Sequence, residues 1–447
     1  MKKRIIALLE IAIVLCSLFL VATLPAIAAE QNQAMQKASA SAITTASEDD
    51  FVMDIYGNAN EDDTIDMRDL TYVKLIFFGK KPETELADAK YDGKINPLDF
   101  IQIKLIIVGK EKELTLIDSA DRIVTVKEPV ENLMVLFCEQ EVIRLLGAQN
   151  RVVGVHKWVA MLHSEDCPEM SKKPNIGSFS DPDYEQILEI VDQTKGQDIV
   201  ITYAEGWAEN IEEKLDPVEG IKVVKFNFHK PEIFVPQLKQ LSIMLGKGEE
   251  CSKYLDWRDA ILDQIKEWVK EINPKEKVKV YSDCSGDGHF DTANDLTAWG
   301  AMINLAGGEN IAAGLTPKYP KVDPEWVLTE NPDVIISHAR NAQNVVGVRL
   351  GYYSETTTDD YPKLEEARQE LMETPGINGT KAVKDGKVYF IADDLLFGPQ
   401  QPIGAMYLAK WFYPERFADL NPQEQNRKYY EDFMDLEYRG IYVYPEE

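Results

Sequence analysis

The sequence predicts an α/β protein: two lobes of alternating short strands and helices joined by one long helix, behind a small all-α module. Three observations predict it. First, Gly248 to Ile272 contains no Gly or Pro after Gly248. Its apolar residues Cys251, Tyr254, Leu255, Ile261, Leu262, Ile265, Trp268, Val269 and Ile272 fall on one helical stripe. Asn273-Pro274 ends it, because proline cannot continue the hydrogen-bond ladder. Second, apolar runs alternate with helical patterns on both sides of this stretch, as in parallel sheets covered on both faces. Third, an acidic repeat precedes the lobes: Asp69–Lys80 matches Asp99–Lys110 at a constant offset of 30 residues.

The N-terminus reads as an address. Lys2, Lys3 and Arg4 precede an apolar run from Ile5 to Leu24, broken by Glu10, and Ala26-Ile27-Ala28 supplies small residues at cleavage spacing. Residues 1–29 therefore read as a secretory signal peptide, with an uncleaved anchor as the alternative, since the run is long enough to span a bilayer. Cys16 is a weak lipid-attachment signal, because Leu15 before it is bulky. Residues 30–50, rich in Ala, Ser, Gln and Thr, read as a flexible tether. The expected location is extracytoplasmic, either secreted or membrane-anchored. A chain of 447 residues with a net charge of −28 implies two or three domains and argues against nucleic acid, which needs a basic face. Cys138, Cys167, Cys251 and Cys284 follow the signal without CxxC spacing, so no zinc site is indicated and three disulfide pairings stay open. Cys251 sits on the long helix's apolar stripe and reads as core.

Residues 51–112 form the repeat. The first copy opens with Asn58, Asn60, Asp62, Thr64, Asp66 and Asp69, and the second with Asp88, Lys90, Asp92, Lys94, Asn96 and Asp99. These are positions 1, 3, 5, 7, 9 and 12 of a calcium loop, in which oxygen ligands converge from alternate residues. Gly93 fills the sharp turn at position 6, Asp63 replaces it in the first copy, and Lys90 brings a cation to a ligand position. A duplicated loop-helix unit ending in Asp resembles a dockerin module. That resemblance implies bound calcium, in one loop or both, and a cohesin-type partner.

The lobes are expected at 113–246 and 274–447, with 247–273 as the connecting helix. Asp121–Val126, Arg151–Val155, Gln197–Thr202 and Ile221–Phe226 read as strands of the first lobe. Asn132–Leu146, stopped by Gly147, and Pro231–Leu245 read as its helices. Lys277–Tyr281, Asp333–Ser337 and Lys387–Ile391 read as strands of the second. A local pattern recurs between lobes: Asp183, Glu185 and Leu188 map onto Asp323, Glu325 and Leu328 at an offset of 140. Helix capping accounts for it in part, since carboxylates favour helix N-termini.

Four further runs, Arg151–Val155, Ala306–Ile311, Asn331–Ile336 and Ala382–Tyr389, carry a second resemblance. From about Leu114 to Glu415 the chain resembles the helical-backbone substrate-binding proteins of ABC importers, which capture ferric siderophores, haem or cobalamin. The resemblance implies two Rossmann-like lobes, a ligand cleft between them, and Glu185 and Glu325 docking onto arginines of a permease and its ATPase. Loops after strand ends should line the cleft: His156 and Trp158, Tyr203–Trp207, His338 and Arg340, and Asp394 and Phe397, with Tyr319 nearby. Aromatics and cations in facing loops suit a flat anionic chelate, and the resemblance places Trp158, Trp207 and Tyr319 near ligand-contacting positions. The expected function is capture of an iron(III) chelate and delivery to a membrane permease. A corrinoid is the alternative ligand, and a dockerin-bearing surface assembly protein the alternative class. An enzyme is not expected: the few His residues have no partner at ligand or triad spacing, Ser285 lacks a nucleophile elbow, and no phosphate loop is present.

Overall fold

The computed structural model describes residues 51–446 except 138, 204–209, 285–289 and 339. The expected signal segment, tether and Cys16 lie outside the described residues. The chain forms two compact units, one ending at Glu111 and one running from Lys112 to Glu447.

In the first unit, helices α1 (Met67–Phe77) and α2 (Pro97–Ile107) are built alike. Asp66 caps α1 and Asn96 caps α2, each with a reciprocal bond from the Asp three residues on, Asp69 or Asp99. Gly79 and Gly109 end them with φ of 63° and 61°. The next amides, of Lys80 and Lys110, reach back to the carbonyls of Leu75 and Leu105. Leu70, Val73, Ile76 and Ile103 close a small core with Ala59, Ala87 and Ala89.

The second unit starts with an antiparallel hairpin, β1 (Glu113–Ile117) and β2 (Ile123–Lys127). Asp121–Val126 therefore supplies a hairpin arm and no parallel strand. The five residues between the arms allow a turn, whereas a parallel crossover needs a dozen or so. The expected helix over Asn132–Leu146 is corrected too: Asn132–Val135 is strand β3, and helix α3 covers only Gln140–Leu145. Leu133, Met134 and Val135 are fully buried between two neighbouring strands, so tertiary pairing overrides a local helical pattern. Gly147 does end α3, at φ +63°.

Next come β4 (Val152–Val155), α4 (Lys157–Leu162), α5 (Tyr184–Gln193), β5 (Asp198–Tyr203), β6 (Ile221–Phe226) and α6 (Pro231–Met244). The sheet order is β4-β3-β5-β6, all parallel. The connecting helix α7 (Gly248–Lys270) has 23 residues, about 35 Å of rod. Its stripe is buried from Cys251 to Ile265, but Trp268 is 39% exposed and lies on Phe417 instead. Beyond α7 lie β7 (Lys279–Asp283), α8 (Ala298–Leu305), β8 (Glu309–Asn310), α9 (Pro324–Glu330), β9 (Val334–His338), α10 (Arg340–Val346), α11 (Tyr361–Glu373), β10 (Val388–Ile391), α12 (Gln401–Phe412), α13 (Pro422–Lys428) and β11 (Val443–Tyr444). The second sheet runs β8-β7-β9-β10-β11, parallel except for β11.

The connecting helix packs on α6 of the first lobe and α12 of the second. Next to it, Gly404 of α12 lies so close to the Leu395 carbonyl that a Cβ would come within 1.8 Å, so only glycine fits there. A second connection was not foreseen. After α12 the chain returns to the first lobe, where Tyr429 donates to Glu141 (2.6 Å) and Arg144 Nε donates to the Met434 carbonyl (2.8 Å). Phe412, Tyr413 and Tyr430 serve packing: Phe412 and Tyr430 are buried, and Tyr413 stands beside Phe417.

Candidate ligand cleft

Strand ends of both lobes bring rings together. Phe137 follows β3, Tyr203 ends β5 and His229 follows β6, while Phe179 comes from the loop before α5. Phe137 lies 4.7 Å from Phe179, 4.7 Å from Tyr203 and 4.8 Å from His229, centroid to centroid. Phe397, from the loop after β10 in the other lobe, reaches His229 at 6.1 Å.

His156 caps α4: its Nδ1 accepts the Trp158 amide at 3.0 Å. The ring proton must then sit on Nε2, which is buried and has no hydrogen-bond partner among the described residues. Burial, then the charges of Lys157 and His163, pushes the His156 pKa down to about 4, so the ring stays neutral. It stacks on Phe179 at 6.2 Å and meets the edge of Trp158, which is 45% exposed.

The second lobe contributes carboxylates. His338 ends β9 with Nε2 2.7 Å from Asp393 Oδ1 and its ring stacked on Trp299. Ser337 donates to Asp283 (2.8 Å). Asp394 keeps some solvent contact, yet the dense protein around it, then Glu141, Asp166 and Asp393, pushes its pKa up to about 8. Burial likewise lifts Glu139 to about 8, against two backbone N–H bonds, and raises Glu141, against bonds from Tyr429 and Gln400. His163 sits 2.7 Å from Asp166; although burial disfavours its charge, the Asp166 contact raises its pKa.

His156, Trp158, His338, Asp394 and Phe397 thus stand at or just after strand ends, Trp158 in the first turn of α4 and His338 as the last residue of β9. Trp207 lies outside the described residues, as does the side chain of Arg340, which opens α10. Tyr319 is 52% exposed in the segment between β8 and α9. Phe137, Glu139, Glu141, Phe179 and His229 were missed. The first three were hidden by the mistaken helix, while His229, placed just past a correctly read strand, was findable. Glu185 and Glu325 are exposed in the first turns of α5 and α9. Asp183 caps α5 through its side chain, whereas Asp323 makes no such bond.

In the first unit, Asp69 and Asp99 each accept two backbone N–H bonds, from Asn60 and Asp66 and from Lys90 and Asn96. Arg68 occupies the first loop, 3.1 Å from Asp62 and 3.0 Å from Asp66, and Asn58 turns its amide nitrogen to the Met53 and Asp62 carbonyls. That donor set does not fit a cation. In the second loop Asp88 accepts from the Asp92 and Gly93 amides, and Asp92 from Lys94, with no cation in place of Arg68. Among the described residues no three His, Cys, Asp or Glu side chains stand ready around a metal ion.

Two α/β lobes joined by one long helix carry rings at their strand ends, of which Phe137, Phe179 and Tyr203, 5–8% exposed, form a buried cluster. Residues 138–395 match the periplasmic binding protein family model, more than half of the chain, and the chain belongs to the periplasmic binding protein family. Solved structures share the fold. A TroA-like periplasmic binding protein, FepB of Veillonella parvula, aligns with TM-score 0.60 and 22% identity over 74% of this chain and 98% of its own. Molybdate-bound MolA of Haemophilus influenzae aligns with TM-score 0.57 and 21% identity over 73% and 99%. CeuE of Helicobacter pylori, in a Ni-His complex, gives 0.54 and 18% over 72% and 96%. In sequence, the molybdate-binding protein MolA is 27% identical over 145 residues, 31% of this chain and 35% of its own length. These relatives are binding proteins rather than enzymes, and the family implies an extracytoplasmic place. No helix among the described residues is long and apolar enough to cross a membrane.

His156 sets a pH dependence. Its folded pKa is depressed below the ordinary 6.5, so the unfolded chain binds more protons between about 6.5 and about 4, and stability falls as pH drops through that window. His156→Asn keeps a capping oxygen and removes the titration. Its melting temperature should fall less steeply over that window than that of the parent chain; parallel curves would show that His156 is not held neutral.

Proposed function

We propose that the cleft captures an iron(III) chelate of siderophore or haem type and that the protein delivers it to a membrane permease. The observation that carries this reading is the ring cluster spanning both lobes, Phe137, Phe179, Tyr203, His229 and Phe397, beside the unpartnered His156 Nε2–H. Flat conjugated ligands stack on such rings, and a buried N–H of fixed tautomer donates to a chelate oxygen. Carboxyls lifted to about 8 leave the pocket less negative than its composition implies. A cationic metal complex is a second reading, favoured by the number of carboxyls that stand on or near the strand ends of the two lobes: Glu139, Glu141, Asp283, Asp393 and Asp394. A corrinoid is a third ligand of suitable shape. Tryptophan quenching with ferric siderophores, haem, cobalamin and a nickel–histidine complex separates them. The ferric chelates or haem should quench saturably, and Trp158→Ala should weaken binding by about 1–3 kcal/mol. Saturation only by the nickel complex or by cobalamin would overturn the iron reading.

Exposed Glu185 and Glu325, at matching places in the two lobes, are the proposed contacts to permease arginines. The double change Glu185→Ala, Glu325→Ala should leave ligand affinity and melting temperature nearly unaltered. It should lower ligand-stimulated ATPase activity of the reconstituted transporter more than either single change. Full stimulation by the double variant would remove the docking role.

The first unit is proposed to act as a dockerin-like module, with calcium in the second loop, held by Asp88, Asp92, Asn96, Asp99 and the Lys94 carbonyl. Exposed Phe78 and Val108, equivalent across the repeat, would face a cohesin-type partner. Calorimetry on the whole chain should show calcium binding that Asp92→Ala abolishes and Asp62→Ala leaves intact. A cohesin pull-down should fail when both Phe78 and Val108 become Ser. Calcium binding unaffected by Asp92→Ala would exclude the second loop.

A further inference from the structure

A cavity of about 490 Å³ lies between the 354–358 loop and the C-terminal residues 423–446, and its wall at Gly351 comes up against Asp394. Everything it takes from residue 423 onward lies beyond the family match, which ends at 395. Its size falls within the roughly 300–1,000 Å³ usual for small-molecule sites.

The walls are fixed rather than draped. Gly440 runs so close to Gly351 that a Cβ would lie 2.0 Å from the Gly351 carbonyl, and the Gly351 amide donates to the Ile441 carbonyl at 2.8 Å. Thr356 Oγ1 donates to the Arg349 carbonyl (2.8 Å), and Thr357 forms a capping box with Asp360. Glu165 of the first lobe accepts from Ser354 N and Oγ (2.8 and 2.9 Å) and pairs with Arg439 at 3.0 Å. The cavity therefore sits where a loop of the first lobe is tied to the second.

Its lining is hydroxyl-rich, with the carboxylates of Glu437 and Glu446 and the paired guanidinium of Arg439. Arg439 is already paired with Glu165, its guanidinium carbon lies 4.5 Å from the Tyr352 ring centre, and its buried Nε–H has no acceptor among the described residues. Tyr361 donates to Glu446 (2.7 Å), leaving its oxygen to accept. Thr358 and Gln423 offer both donors and acceptors, and Glu437 and Glu446 are exposed carboxylates on the wall. Two carboxylates against one neutralised guanidinium repel anions. The near absence of large apolar side chains gives an oily ligand nothing to bury. Vicinal hydroxyls, by contrast, donate to carboxylates and accept from Arg and Thr at once. We propose that this cavity is a second ligand site, for a neutral saccharide of one or two pyranose rings, and that its occupant tightens the joint between the lobes.

The test uses the whole chain with glucose, galactose and cellobiose as probes, by saturation-transfer NMR and thermal shift. At least one sugar should give a saturable NMR signal and raise the melting temperature. Glu437→Gln with Thr358→Val, both on exposed positions, should weaken it about tenfold, a change of about 1.4 kcal/mol. Trp158→Ala should leave it unchanged. No saturable signal from any of the three sugars would overturn the proposal. So would unaltered affinity in the Glu437/Thr358 variant when its unliganded melting temperature matches the parent's, or loss of binding in Trp158→Ala, which would move the sugar to the cleft.

Discussion

The geometry of the second unit depends on one helix being stiff. Two lobes joined by a loop would sample many angles, and a cleft formed only at one of them would bind weakly because most of the population would not be competent. Helix α7 removes that freedom: from Cys251 to Ile265 its stripe is buried, and it rests on α6 on one side and α12 on the other. The returning C-terminal segment adds a second tie through Tyr429–Glu141 and Arg144–Met434. A rod and a strap together resist twisting better than the rod alone. The ring contact between His229 and Phe397 therefore belongs to a held arrangement.

That arrangement places carboxyls where water is scarce. Removing a charge from water is costly, so the groups respond by holding their protons. Glu139 and Asp394, both lifted to about 8, are examples. The same strap that positions Tyr429 on Glu141 helps to bury it, so the acidity of the cleft and the rigidity of the joint have one origin. Stability and ligand preference at this junction should for that reason shift together with pH.

Much of the fold was legible because periodicity survives burial. The strands Val152–Val155, Asp198–Tyr203, Ile221–Phe226, Val334–His338 and Val388–Ile391, and helices α6 and α7, stand within a few residues of where the pattern puts them. The failures share a cause. Leu133–Phe137 is a short apolar run joined to a true helix, and period alone does not divide the two. Asp121–Val126 has a strand's composition, but its partner is set by the length of a turn rather than by its own residues. Of the site, the loops after correctly read strands were visible: His156, Trp158, His338, Asp394 and Phe397. Residues brought in from the misread helix, and the ties made by the C-terminal segment, were not, because nothing local encodes a contact between residues 141 and 429.

The two duplications in the chain show how far a shared pattern carries. In the repeat, capping boxes and glycine stops are preserved in both copies, since each is needed to begin and end a helix; the loop chemistry has parted, with Arg68 filling one copy and nothing equivalent in the other. In the lobes, Asp183 caps its helix while Asp323 does not, although both precede an exposed glutamate in a first turn. If capping alone kept the motif, the second copy would have no need of its aspartate. A helix dipole favours Glu185 and Glu325 equally and weakly, by a few tenths of a kcal/mol at an exposed site. Their matched placement in the first turns of α5 and α9 is thus the feature that helix stability leaves unexplained.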